Sequence, residues 1–298
     1  MESYEKTFAI VGAGIVGASL AVLLTRQGYA CVGVHTRSAA SLTRFQSLVD
    51  APALAPAEIA DRAGLIFITT QDENIAAAAA LVPHRTGQWR VHCSGSLPAA
   101  ILASGDPAAE ARCLSLHPLQ AFAGVAQALE LLPGTHFGVE AGSAAAAAKG
   151  RELALLLGGI PHDIDPKQKT LYHAGAVVAS NYLVALMDVA VRLFARAGIT
   201  GEEAVASLLP LLSGAGRNIA EVGLPLALTG PIARGDAQVV AGHLAQMPSE
   251  LRPIYRALGR IALEVGRQKR EQTGIPYDPA TWIKMESLLA DGSGEDMK

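Results

Sequence analysis

TFAIVGAGIVGASLAVLLTRQGYACVGVHTRS, running from Thr7 to Ser38, holds two apolar runs separated by three glycines and an apolar segment of helical period. Thr7–Val11 reads as a strand, Ile15–Gln27 as a helix and Ala30–His35 as a second strand. Gly12, Gly14 and Gly17 form the pattern GxGxxG at the first junction. The first glycine permits a tight turn, the second lets backbone approach a pyrophosphate, and the third lets helix and strand pack closely. Ile15 and Val16 fall in the first helical turn, whose free N–H groups and partial positive charge suit phosphate. GxGxxG alone is a weak signal. Its position between a strand and a helix, with a second strand at the right distance, makes it a dinucleotide cradle of the Rossmann type.

The second strand ends at His35-Thr36-Arg37-Ser38, and no acid occurs between Lys6 and Asp50. An NAD site usually places Asp or Glu about 20 residues past the glycines for the ribose hydroxyls. Thr36, Arg37 and Ser38 offer hydroxyls and a guanidinium, the groups a 2′-phosphate needs. NADP is expected in preference to NAD. Thr69-Thr70-Gln71-Asp72 follows another strand, so Thr70 and Gln71 are candidates for the ribose or pyrophosphate. Asp72 reads equally well as a plain helix cap.

Outward from this core, Leu65–Thr69, Trp89–His92, Cys113–Leu116 and Phe137–Val139 read as further strands. Ser38–Leu48, Glu73–Leu81 and Ala144–Leu157 read as helices between them. That alternation predicts an α/β, doubly wound, mostly parallel Rossmann sheet over residues 1–165. From 166 to 298 the pattern is helical, which predicts an all-α second domain for substrate and dimerisation. Asp165 and Pro166 start a long helix from Lys167 to about Arg196, and Glu202–Leu212, Gly235–Gln246 and Ser249–Gln268 follow. Ala174–Ile199 is apolar, but Asn181, Asp188, Arg192 and Arg196 interrupt it. A bilayer span needs about 20 nearly unbroken apolar residues, so a buried helix of a soluble protein is the expectation here.

Composition narrows the class. Half of the 298 residues are hydrophobic and 17% are charged, with a net charge of −3. No Lys/Arg run exceeds two residues, so neither nucleic acid nor membrane is an expected partner. Cys31, Cys93 and Cys113 lack CxxC spacing, which points to reduced thiols in a cytoplasm and to no metal site. The opening residues carry Glu2 and Glu5 and run straight into a strand, so no secretory signal is expected.

Polar residues at strand ends and on the long helix are the candidates for chemistry. His92-Cys93-Ser94-Gly95-Ser96 and Ser115-Leu116-His117-Pro118 follow two strands whose carboxyl ends face the ligand crevice of such a sheet. His117 precedes a proline, which keeps its backbone extended and its ring free to donate to a carbonyl or carboxylate. The bland alternative for His92 and His117 is a histidine satisfied by a backbone carbonyl. Lys169, His173 and Ser180 share one face of the long helix, with Asn181 at its edge. A lysine or histidine there can polarise a carbonyl and supply its proton, while a solvated N-terminal turn is the alternative for Lys169. Thr229-Gly230-Pro231-Ile232-Ala233-Arg234-Gly235-Asp236 is a constrained loop in which Arg234 suits a carboxylate and Asp236 a helix cap.

Together these pieces resemble the superfamily of prephenate dehydrogenase, pyrroline-carboxylate reductase, ketopantoate reductase and 6-phosphogluconate dehydrogenase. There a Rossmann domain precedes a helical domain that helps close the active site. The segments HCSGS and SLHPLQ resemble strand-end motifs of prephenate dehydrogenases. Lys169 and His173 match the spacing of the lysine and asparagine on the interdomain helix of ketopantoate reductases, with histidine as the departure. Lys169 to Asn181 and Gly230 to Asp236 fit K-x-x-Y-H-A-x-A-V-x-A-S-N and G-P-x-x-R-G-D. Those patterns mark a family of Rossmann-like proteins with a carboxyl-terminal domain of unknown function, taken to be NADP oxidoreductases similar to deazaflavin-dependent ones. The resemblance implies hydride transfer between NADP(H) and a C=O or C=N group of a small carboxylate, in the cleft between domains of a homodimer. His117, Lys169 and His173 form the expected catalytic set, and Ser94, Asn181 and Arg234 orient the substrate. A dinucleotide-binding regulator without turnover and a deazaflavin-dependent enzyme are the rival readings.

Overall fold

Seven strands hydrogen-bond in the order β2-β1-β3-β4-β5-β6-β7. They are β1 Thr7–Val11, β2 Ala30–His35, β3 Leu65–Ile68, β4 Trp89–His92, β5 Cys113–Pro118, β6 His136–Ala141 and β7 Ile160–Asp163. The first five are parallel, β6 runs antiparallel to β5, and β7 is parallel to β6. The computed structural model describes residues 6–290, and the acidic start with Glu2 and Glu5 lies outside them. The α/β sheet followed by an all-helical part is the architecture expected. No strand was expected at Ile160–Asp163, because four residues that include Pro161 carry no alternating pattern. Proline is tolerated there since β7 is the sheet's edge.

Around the sheet lie α1 Ile15–Arg26, α2 Ala39–Gln46, α3 Pro56–Arg62, α4 Asp72–Leu81, α5 Pro107–Glu110, α6 Val125–Leu131 and α7 Ala144–Leu156. Successive strand residues point to opposite faces, and the core divides accordingly. Phe8, Ile10 and Phe67 join Leu20, Leu24 and Leu153 on one face. Ala9, Val11, Ile66 and Ile68 join Ile59 and Ile75 on the other. Burial on both faces explains why these strands read as unbroken apolar runs. The strand order reverses direction between β1 and β3, and such a switch point opens a crevice at the carboxyl ends of the strands.

The chain divides between Asn181 and Tyr182 into two compact units. The boundary expected at 165/166 falls earlier, because the helix that follows it is anchored on the sheet through Lys169 and Tyr172. The long helix expected from Lys167 to Arg196 is two helices, α8 Lys169–Ala179 and α9 Asn181–Arg196. Ser180 separates them, with φ −121° and ψ −67°. Its hydroxyl donates to the Ala176 carbonyl at 2.8 Å, a back-bond that bends helices.

The second unit continues with α10 Gly201–Val222, α11 Gly230–Arg234, α12 Ala237–Gln246, α13 Arg252–Thr273 and α14 Pro279–Leu289. Val240, Leu244, Leu263, Met285 and Leu289 form its core. The stretch 166–196 is long and apolar enough to cross a membrane by length and composition alone. The expectation that it is buried fails: none of α9 is buried, and Val184 is 72% exposed. Among the described residues nothing covers any α9 side chain to full burial.

Candidate active site

The glycine cradle forms as its sequence implies. Gly12 has φ +105°, and a Cβ there would lie 2.7 Å from the Thr70 nitrogen. Gly14 caps α1 with no side chain, and the space above it is open. Gly17 faces the Gly12 carbonyl and Thr69 Oγ1 so closely that no Cβ fits. Thr69 Oγ1 donates to that carbonyl at 2.7 Å and ties the end of β3 to the turn. Ile15 and Val16 occupy the first turn of α1. Thr70 Oγ1, next to the Gly12 turn in the chain's fold, is buried without a hydrogen-bond partner. Gln71 is the N-cap of α4, exposed and without a side-chain cap bond. An uncapped helix start, a Cβ-free approach and an orphaned hydroxyl together fit a pyrophosphate and ribose.

At the other end of the cradle, Thr36, Arg37 and Ser38 follow β2. Arg37 is exposed, with no side-chain partner among the described residues. Ser38 Oγ accepts the Ser41 N–H at 3.2 Å as the N-cap of α2, and Thr36 Oγ1 accepts the Ser38 N–H at 3.4 Å. Arg37 is therefore the one of the three whose side chain has no partner among the described residues. Arg44, one turn along α2, bonds Ser41 Oγ at 3.3 Å.

A polar cluster continues from the cradle along the carboxyl ends of β3, β4 and β5. Asp72 Oδ2 accepts from Ser94 Oγ at 2.8 Å and from Ser96 Oγ at 2.9 Å. Ser94 Oγ also accepts the N–H groups of Ser96 and Leu97, both at 3.1 Å. That hydroxyl is fully used and buried, so Ser94 braces the loop. His92 is the satisfied core histidine of the bland reading. Its Nδ1 accepts the Ser94 N–H at 3.1 Å, and its Nε2 donates to the Pro98 carbonyl at 3.3 Å. Burial, then the charge of Lys169, pushes its pKa down to about 3.

His117 stands at the end of β5 with Nδ1 2.9 Å from Tyr172 Oη. Its ring centroid lies 6.1 Å from that of His173. Gly95 sits between them: a Cβ there would come 2.8 Å from His117 Nε2 and 2.7 Å from His173 Cδ2. Burial first, then His173 and Lys169, holds the His117 pKa near 4. Lys169 is buried, with Nζ 3.1 Å from Glu140 Oε2. Glu140 Oε2 also accepts the Ala99 N–H at 2.7 Å. Burial lowers the Lys169 pKa, and Glu140 opposes that shift.

The structure thus brings His117, Lys169 and His173 together. It does not bring Asn181, which begins α9, is exposed, and accepts from Ser180 Oγ at 3.0 Å. Arg234 lies in the second unit at the end of α11, exposed, its carbonyl bonded by Arg270 at 2.9 Å. Asp236 caps α12 as expected, accepting the Val239 N–H at 3.2 Å. Sequence reasoning passed over Glu140, Tyr172, Gly95 and the carboxylate role of Asp72. An acid inside the apolar run FGVEA was the available signal for Glu140. A cavity of about 1220 Å³ opens at the opposite, amino-terminal edge of the sheet beside Lys6, Arg85, Trp89 and Arg112. Its arginines are occupied, Arg85 by Asp61 at 2.9 Å and Arg112 over the Trp89 ring.

Comparison with known proteins divides the chain elsewhere, since the second of two family matches begins before β6 and runs on past Asn181. Residues 3–118 match the Rossmann-like domain, and residues 135–262 match the domain of unknown function DUF2520. Protein TM1727 from Thermotoga maritima superposes with a TM-score of 0.71 at 24% identity, over 88% of this chain and 99% of that one. BF3122 from Bacteroides fragilis, described as an NADP oxidoreductase, gives 0.65 at 25% identity over 89% and 98%. Plasmodium falciparum pyrroline carboxylate reductase with NADP bound gives 0.56 at 10% identity over 96% and 99%, a likeness of fold alone. No curated protein matches by sequence. The chain belongs with proteins that join a Rossmann-like domain to a DUF2520 domain, an architecture related to NADP oxidoreductases.

Proposed function

We propose that this protein is an NADP(H)-linked oxidoreductase acting on the C=O or C=N group of a small molecule. Likeness to BF3122 supports the general class. One observation carries the reading further: the His117 and His173 rings converge on Cβ-free Gly95, in a cluster that runs on from the glycine cradle. Gly12, Gly14, Gly17 and Thr70 hold the dinucleotide, and Arg37 meets its 2′-phosphate. NADPH when bound supplies a hydride. His117 donates a hydrogen bond to the oxygen or nitrogen that gains electrons, and His173 supplies its proton. Lys169 acts by its charge from within the Glu140 pair. Among the described residues of the cluster it is the one ammonium group, and Glu140 already holds it. The cluster therefore recognises the reacting C=O or C=N group more directly than a carboxylate.

The test is NADPH consumption with a panel of 2-oxo acids, their esters, and cyclic imines, each compared with His173→Ala. Turnover of at least one compound, reduced about 10²–10⁴-fold in the variant with NADPH affinity kept, is the expected result. Tight NADPH binding with no turnover across the panel would favour a regulator. We also infer a homodimer through α9 and α10, whose apolar residues Val184 and Leu211 are each 72% exposed.

A further inference from the structure

We propose that Thr69 is a positioning residue for the dinucleotide: its hydroxyl fixes the Gly12 peptide, so that the turn and the start of α1 are oriented before NADP(H) arrives. The inference rests on the cofactor alone and needs no catalysis.

Gly12 is held at both of its hydrogen-bonding groups. Its N–H donates to the His35 carbonyl at the end of β2, at 2.8 Å. Its carbonyl accepts from Thr69 Oγ1, just past the end of β3, at 2.7 Å. Chemistry settles the direction of that second bond, because a carbonyl can only accept. Thr69 is itself anchored, since its N–H donates to the Val11 carbonyl at 2.9 Å. Register sets Val11 opposite Ile68, so the residues that follow, Gly12 and Thr69, leave the sheet side by side. Among the described residues the Thr69 hydroxyl is the one hydrogen-bond partner of the Gly12 carbonyl.

What that bond does follows from the backbone. Gly12 has φ +105°, a conformation reached through the freedom of a residue with no Cβ. Without a tether its peptide with Ala13 is free to rotate and to present a carbonyl where an anion needs N–H groups. The first bond of α1 runs from the Ala18 N–H to the Gly14 carbonyl at 3.0 Å. The N–H groups of Ile15, Val16 and Gly17 ahead of it have no partner in the helix and are left for a ligand. The Thr69 hydroxyl and the Gly12 carbonyl also fill the place that a Gly17 Cβ would take, so this bond is one reason the third glycine is needed. A turn oriented in advance spares the dinucleotide the cost of ordering it. The sequence pointed to the neighbours Thr70 and Gln71, whereas the hydroxyl that sets the turn is that of Thr69.

The test is calorimetric titration of the full-length protein with NADPH and, separately, with adenosine 2′-monophosphate, which carries no 5′-phosphate. Thr69→Val keeps the shape and removes the donor, and Thr69→Ser keeps the donor. NADPH should bind about tenfold more weakly to Thr69→Val, the loss of roughly one hydrogen bond, while Thr69→Ser stays close to the wild type. Adenosine 2′-monophosphate should bind all three proteins alike, a result that general loosening of the fold would not give. Wild-type NADPH affinity in Thr69→Val, an equal loss in Thr69→Ser, or a matching loss for adenosine 2′-monophosphate would overturn the proposal. Thr69→Ala removes the same donor and replaces Thr69→Val should that variant not fold. A wild type that binds no NADPH would instead remove the cofactor from the account, so the two failures are distinct.

Discussion

Lys169 Nζ lies 3.1 Å from Glu140 Oε2, and both side chains are only 5% exposed. The pair joins the first helix after the Rossmann strands to β6, and the same carboxylate oxygen pins the Ala99 N–H. Removing one member leaves the other charge buried and unmatched. Glu140→Gln is therefore expected to cost about 3–5 kcal/mol, while Lys169→Met with Glu140→Leu costs much less. Urea denaturation of the three proteins checks this. An equal loss in single and double variants would mean that packing, and not charge, is what the pair contributes.

Acid should weaken the fold through His92 and His117. Their folded pKa values are lowered to about 3 and about 4, while an unfolded histidine titrates near 6.5. Between those limits the unfolded chain binds more protons, so stability falls as the pH drops below about 6.5. At 1.36 kcal/mol per pKa unit, each histidine should cost about 2 kcal/mol between pH 6.5 and 5. Urea midpoints at the two pH values, for wild type and His117→Asn, measure it. The variant should show about half the loss, and an identical loss would remove His117 from the account.

Gly95→Ala places a methyl group against His117 and His173 without touching the glycine cradle. Turnover should fall about 10²-fold or more, since a displacement near 1 Å at reacting groups has that effect. NADPH affinity, followed by tryptophan fluorescence, should hold. A variant with wild-type turnover would show that the space between the two rings is not where chemistry occurs.

Arg37→Ala should weaken NADP binding by about 1.5–3 kcal/mol, the strength of a charge-assisted hydrogen bond, and leave NAD binding nearly unchanged. Calorimetric titration with both dinucleotides reads the difference. Equal wild-type affinities would withdraw the 2′-phosphate role from Arg37.

Sedimentation should give a mass near twice the 30.8 kDa of one chain, and Val184→Glu with Leu211→Glu should shift it toward the monomer. A clean wild-type monomer at micromolar concentration would leave the exposed faces of α9 and α10 to another partner.

The sequence alone determined the cradle and most of the strands, because those features are local. A βαβ unit draws its turn, its helix start and both strands from one contiguous stretch, and a glycine required at a tight turn is visible as a glycine. It also named His117, Lys169 and His173, which stand at strand ends or on one helix face. What it did not contain were the partners. Lys169 meets Glu140 across 29 residues, His117 meets Tyr172 across 55, and Ser94 meets Asp72 across 22. Those pairings depend on strand order and on β6 running antiparallel to β5, which sets Gly138 opposite His117 and Glu140 opposite Ser115. Lys169 has the same local sequence whether it faces a substrate or a buried carboxylate. Only the packing of α8 against the sheet decided that it faces Glu140, because the cost of burying an ammonium is met by whichever charge the tertiary fold brings beside it.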